Sequence, residues 1–156
     1  MILLLRPGQA PLEIDSIVID FDGTLAADRR VHAKTKDKLT LLARRTKIYV
    51  LTTQGEERSD EVLGKVSAEI IHLREGDAGQ EKLNLLNRLG PLRTVAIGNG
   101  LHDVPMIEQA ALGLCVMSRE GTSGELIQRA DLVFTSILDA LDFLLKPLRQ
   151  KATLGQ

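Results

Sequence analysis

Apolar and polar positions in this chain fall into two alternating registers. Short runs of β-branched and aliphatic residues are separated by longer segments in which apolar residues recur at helical spacing. The runs are Ile17–Asp20, Lys47–Thr52, Ile70–Leu73, Thr94–Ile97, Gly113–Met117 and Leu132–Phe134. Between them, the pattern predicts helices over about Ala33–Arg45, a short stretch carrying Val62, Leu63 and Val66, then Glu81–Leu89, Asp103–Ala111, Glu125–Arg129 and Ile137–Leu145. A polar loop is expected from Thr53 to Arg58 and a flexible one from Glu75 to Gly79. Gly90-Pro91 supplies a helix stop, and Pro147 marks the end of the last helix, leaving Lys151–Gln156 as a frayed or packing tail. Strands that alternate with helices imply a parallel sheet flanked by helices, hence one Rossmann-like α/β domain over 1–156 with its core at about 16–145.

Composition narrows the function classes. Twenty basic and 21 acidic residues leave a formal charge of −1 over 156 residues, and there is no Trp, one Tyr and three Phe. Scattered basic residues with few aromatics give no nucleic-acid surface. The single Cys115 lies in an apolar run and reads as a small buried hydrophobe, while His32, His72 and His102 have no metal-ligand spacing. Met1–Leu5 is too short for a leader core before Arg6-Pro7-Gly8, and no apolar run is long enough to span a bilayer. A soluble, cytoplasmic protein without membrane partners is the expectation.

Candidate chemistry gathers at the strand ends, where ligands bind in open α/β sheets. The first run ends in Asp20-Phe21-Asp22-Gly23-Thr24. Alternate strand residues face one side, so Asp20 and Asp22 converge, and their repulsion calls for a cation or for separate chemical roles. Mg²⁺ suits such a site beside phosphate. Thr52 and Thr53 end the second run with hydroxyls suited to a phosphate oxygen, although loop hydrogen bonding would explain either one alone. Gly98-Asn99-Gly100-Leu101-His102-Asp103 ends the fourth, offering Asn99 and Asp103 as oxygen ligands; a helix N-cap would equally explain Asp103. Lys82 follows a glycine-containing loop and could neutralise a phosphate, or simply be a solvated surface lysine.

The ordered set resembles the haloacid dehalogenase superfamily of phosphohydrolases over about Ser16–Leu145. A narrower resemblance, carried by Gly98–Asp103 and by Ile137–Pro147, is to small soluble proteins related to the phosphorylation domain of P-type ATPases. The resemblance implies that Asp20 is the nucleophile and Asp22 the general acid and base. It also implies that Thr52 and Lys82 hold the phosphoryl group, and that Asp20, Asp22, Asn99 and Asp103 surround Mg²⁺. Asn99 departs from the aspartate common in the superfamily, which implies weaker metal binding. About thirty residues separate Asp20 from Thr52, and Thr52 from Lys82, which leaves no room for a cap of ~50 residues. The site is therefore expected to be open to a phosphorylated substrate, or covered by a second copy in a homo-oligomer. The alternatives are a non-catalytic binding or regulatory module of the same fold, and weak ATP hydrolysis.

Overall fold

A computed structural model describes residues 1–53 and 61–155. Six strands form one parallel sheet: β3 (Ser16–Asp20), β4 (Lys47–Thr52), β5 (Glu69–His72), β6 (Thr94–Gly98), β7 (Leu112–Val116) and β8 (Leu132–Phe134), in the spatial order β5-β4-β3-β6-β7-β8. The chain steps outward from β3 to β5, then crosses back to place β6 on the other side of β3. That reversal opens a crevice beyond the carboxyl ends of β3 and β6.

Side-chain alternation explains why the sheet is buried on both faces. Ile17, Ile19, Ile48, Val50, Val95, Ile97, Leu112 and Leu114 share one core layer with α1 (Ala33–Ala43) and the helix Ile137–Leu145. Val18, Tyr49, Leu51, Ala96 and Cys115 enter the opposite layer, against Ala78–Leu89, Val104–Gln109 and Gly124–Arg129. In chain order those helices are α2 (Ala78–Leu89), α3 (Val104–Gln109), α4 (Gly124–Arg129) and α5 (Ile137–Leu145). Cys115 is fully buried, as its apolar neighbours predict.

The ends of the chain depart from the expected pattern. Met1–Leu5 contributes β1 (Ile2–Leu4), which pairs antiparallel with β2 (Leu12–Ile14). Ile2, Leu4 and Ile14 join the core layer containing α1 and α5, so the core reaches outside 16–145. Residues 147–154 form a helix, α6 (Pro147–Leu154), so of the two expectations for the tail, packing holds and fraying does not. Proline is favoured in the first turn of a helix, where its missing N–H is no loss. Here Pro147 ends one helix and starts the next. Gln150 is buried; its Nε2 donates to the carbonyls of Phe143 and Leu144, and its Oε1 accepts from Leu5 N–H. That amide joins both termini to α5. The expected polar loop lies, apart from Thr53, outside the described residues. No helix among them is long and apolar enough to cross a membrane.

Candidate active site

β3 delivers Asp20 at its last position, and the chain then turns back on itself. Leu25 N–H donates to the Asp20 carbonyl, and Ala26 N–H to that of Phe21. Gly23 sits at φ +79°, and a Cβ there would lie 2.6 Å from Asn99 Nδ2. Both the dihedral and the contact demand glycine. The tight turn carries Asp22 and Thr24 back over the sheet end. β6 ends equally tightly: a Cβ on Gly98 would lie 2.5 Å from the Asp103 carboxyl carbon.

These turns bring all six sequence-predicted residues into one region. Lys82, from the first half of α2, places Nζ 2.7 Å from Asp20 Oδ1 and 2.6 Å from Asp103 Oδ1. All three side chains are nearly inaccessible, so the lysine is no surface residue. Asp103 Oδ2 accepts from Asn99 N–H at 3.1 Å and Gly100 N–H at 3.0 Å. Asp103 does stand at the start of α3, yet its carboxylate reaches back into the site rather than capping the helix. Thr24 Oγ1 lies 2.9 Å from Asn99 Oδ1 and 3.3 Å from Asp20 Oδ2, joining the ends of β3 and β6. Thr52 is buried, and its hydroxyl donates to Asp22 Oδ2 at 3.1 Å.

The resulting pocket encloses about 260 Å³ and is lined by Asp20, Asp22, Thr53, Lys82, Asn99 and His102, among others. Thr53, not Thr52, contributes to the lining. Thr52 supports Asp22 from behind. Two larger, shallower hollows of about 570 and 580 Å³ occupy the opposite end of the sheet around Lys47 and Tyr49, and each is lined by only one carboxylate. Convergent charge, not volume, distinguishes the strand-end pocket.

Electrostatics explain why this pocket calls for a cation. Three carboxylates, Asp20, Asp22 and Asp103, share the pocket with one ammonium, that of Lys82. Burial, reinforced by Asp103, pushes the Asp20 carboxyl up to about 7 despite its contact with Lys82. Burial alone would lower the Lys82 ammonium, but Asp103 and Asp20 outweigh it and raise its pKa. No group of three carboxylate, histidine or cysteine side chains is arranged to hold a metal among the described residues. The reason is visible in the bonds: Asp103 spends both oxygens on Lys82 and on backbone N–H groups, and position 99 is an amide. Oxygens of Asp20, Asp22 and Asn99 remain as a mixed donor set, chemically suited to a hard cation.

Two contributors were not apparent from sequence. Thr24 follows the paired aspartates without announcing a bond to a residue 75 positions away. His102 lines the pocket although its spacing to the other histidines carries no signal.

No family model matches the chain. An uncharacterized protein of Methanocaldococcus jannaschii is 40% identical over 82 residues, which cover 48% of this chain and 88% of that protein. Among solved structures, the 3-deoxy-D-manno-octulosonate 8-phosphate phosphatase of Moraxella catarrhalis, in complex with magnesium, phosphate and the sugar acid, superposes with a TM-score of 0.72 at 16% identity, covering 87% of this chain and 88% of that one. The cobalt-bound enzyme of Haemophilus influenzae gives 0.71 at 14% identity, covering 89% and 88%. The Yersinia pestis phosphatase gives 0.66 at 18%, covering 96% and 94%. These neighbours are capless members of the haloacid dehalogenase superfamily. The narrower likeness to ion-pump phosphorylation domains finds no support among them. This chain thus belongs to one family with the Methanocaldococcus jannaschii protein and has the capless haloacid-dehalogenase fold.

Proposed function

We propose that the protein is a Mg²⁺-dependent phosphohydrolase that works through a phosphoryl-aspartate at Asp20. The observation that carries this reading is the sharing of Lys82 Nζ between Asp20 Oδ1 and Asp103 Oδ1 at the floor of a strand-end pocket. Asp103 holds the ammonium in place, and the ammonium holds Asp20 in a fixed orientation. A preorganised charge of this kind stabilises a transferring phosphoryl group at little reorganisation cost.

In the first step an Asp20 oxygen attacks phosphorus while the bond to the ester oxygen breaks. Asp22, steadied by the Thr52 hydroxyl, gives that leaving oxygen its proton. In the second step Asp22 takes a proton from water, the water oxygen attacks phosphorus, and the Asp20–phosphorus bond breaks to release phosphate. Lys82 faces the phosphoryl oxygens in both steps, and Thr53 is placed at the pocket wall to donate to one of them. Oxygens of Asp20, Asp22 and Asn99 would hold Mg²⁺, whose role is to cancel phosphate charge near the carboxylates. Asp103 is then a positioning residue, not a direct ligand.

Two facts bear on substrate class. The pocket is small, and chains of matching extent include phosphatases for a phosphorylated sugar acid. Both support a compact phosphate monoester, admitted directly to an open site. The competing reading, a binding module without turnover, draws on Asn99, which lacks the charge of an aspartate. Phosphate release from an aryl phosphate, with and without Mg²⁺, separates the two. Metal-dependent turnover that falls at least ~10³-fold in Asp20→Asn is expected of an enzyme with a covalent nucleophile. Turnover undiminished in Asp20→Asn would overturn the proposal.

A further inference from the structure

Asn99 is bonded on every side. Its backbone N–H donates to Asp103 Oδ2 at 3.1 Å, and its carbonyl accepts from Ser123 N–H at 2.9 Å. Its side chain lies 3.2 Å from the Gly121 carbonyl at one end and 2.9 Å from Thr24 Oγ1 at the other. The Gly121 oxygen carries no proton, so the atom facing it must be the Nδ2 donor. That fixes the amide: Oδ1 is turned toward Thr24 and the Asp20 carboxylate. Gly23 closes over the same amide so tightly that a Cβ there would meet Nδ2 at 2.6 Å. The group has no room to swing.

We infer that Asn99 is a positioning residue at which a carboxamide, rather than a carboxylate, is required. Its Oδ1 serves the phosphoryl site, while its Nδ2 fastens the turn Ser118–Thr122 to the pocket wall. The turn supplies part of its own order: Gly121 N–H donates to the Ser118 carbonyl at 3.0 Å, and Ser118 N–H donates to Thr122 Oγ1 at 2.9 Å. None of those bonds attaches it to the site. Attachment to the site comes through Asn99, by the side-chain bond to Gly121 and the main-chain bond from Ser123, while Thr122 Oγ1 makes a longer contact of 3.4 Å to the Val116 carbonyl at the end of β7. A carboxylate at this position has no proton for Gly121. It would set two oxygens against each other across 3.2 Å and add a fourth acid to a cluster neutralised by one lysine. The weaker metal ligand is therefore what allows the turn to be held. The bonds themselves do not depend on the phosphohydrolase reading; only the use made of the turn rests on it.

Hydrogen–deuterium exchange over 117–124 in the metal-free protein tests this, comparing wild type with Asn99→Asp, Asn99→Ala and Thr24→Val. Losing the Gly121 bond is expected to speed exchange there about fivefold in both Asn99 variants, with Val104–Gln109 unchanged. Thr24→Val removes the contacts to Asn99 Oδ1 and Asp20 Oδ2 but not the bond to Gly121, and should leave 117–124 as protected as in wild type. Magnesium titration adds a readout that a purely structural role would not move. Asn99→Asp should bind Mg²⁺ several-fold more tightly while its turn stays loose, and in turnover assays its kcat should not rise above wild type. In the folded wild type, nuclear Overhauser contacts should join the Asn99 side-chain amide protons to Gly121. Absence of that contact, unchanged protection in the folded Asn99 variants, or equal loosening in Thr24→Val would overturn the inference. If the contact and the loosening are found but no variant, wild type included, turns over phosphate esters, the positioning role stands and the phosphohydrolase reading falls.

Discussion

Two charge clusters of nearly equal geometry lie at opposite ends of the sheet. At the carboxyl ends, Lys82 contacts Asp20 and Asp103 at 2.7 and 2.6 Å, with side-chain exposures of 6%, 12% and 1%. At the other end, Arg93 contacts Glu13 and Asp15 at 2.7 and 2.5 Å, with exposures of 43%, 54% and 48%. Distance alone would rank them together, yet water separates their meanings. Around Arg93 the Asp15 carboxyl is lowered by its hydrogen bond to the guanidinium, as for an ordinary exposed pair. Around Lys82 burial reverses the sign, and Asp20 is raised to about 7. The exposed cluster clips the β1–β2 hairpin to Arg93 between α2 and β6. The buried cluster carries three carboxylates against one lysine, an excess of negative charge suited to a cation.

The largest effect that could break this contrast is expected at Lys82. Lys82→Met leaves Asp20 and Asp103 facing each other without a counter-charge, and should cost about 3 kcal/mol of stability by denaturant unfolding near neutral pH. The same variant should lose at least ~10²-fold in turnover. Stability and turnover both within error of wild type would mean that the buried cluster is no more consequential than an exposed one.

Asp142 provides an intermediate case, a partly buried carboxylate on α5 that meets Lys38 of α1 at 2.9 Å. Its carboxyl is held below the usual range, chiefly by the Lys38 hydrogen bond, against an opposing effect of burial. A depressed folded pKa gives stability that is present above the unfolded value of 3.8 and is lost as pH falls through the folded value. Melting temperatures should therefore drop more steeply in wild type than in Asp142→Asn on acidification below about pH 4. Parallel melting curves for the two would remove Asp142 from the acid limb. The smallest effect is expected at the exposed end, where Arg93→Ala should leave turnover unchanged and the melting temperature nearly so, because water screens both of its partners. A large thermal loss there would mean that the clip is essential to the hairpin.

The fold is most legible in the sequence where local pattern and tertiary role coincide. Ile17, Ile19 and Val18 alternate between the two core layers as their period predicts, and the six sheet strands were anticipated to within a residue or two of their observed ends. Asp20 and Asp22 were legible as a pair because two residues of strand spacing set their direction. The hairpin at Ile2–Ile14 is not legible in the pattern because its strands are short, three residues each, and are joined by a segment with two prolines and a glycine. The final helix was missed because Pro147 reads as a terminator and serves equally well as a first-turn residue. Thr24 and the Asn99–Gly121 bond were invisible for another reason: they join residues 75 and 22 positions apart, and no local periodicity encodes such a contact. At Asn99, sequence shows the charge the residue lacks but not the carbonyl it faces.

If the proposed mechanism holds, Asp20 becomes phosphorylated during turnover. Acid-quenched mass spectrometry of the protein caught while hydrolysing an aryl phosphate in Mg²⁺ tests it directly, with Asp22→Asn used to slow attack by water. A phosphoryl adduct on the peptide carrying Asp20, enriched in Asp22→Asn and absent from Asp20→Asn, is the expected result. Steady turnover with no adduct in either wild type or Asp22→Asn, and undiminished in Asp20→Asn, would contradict it.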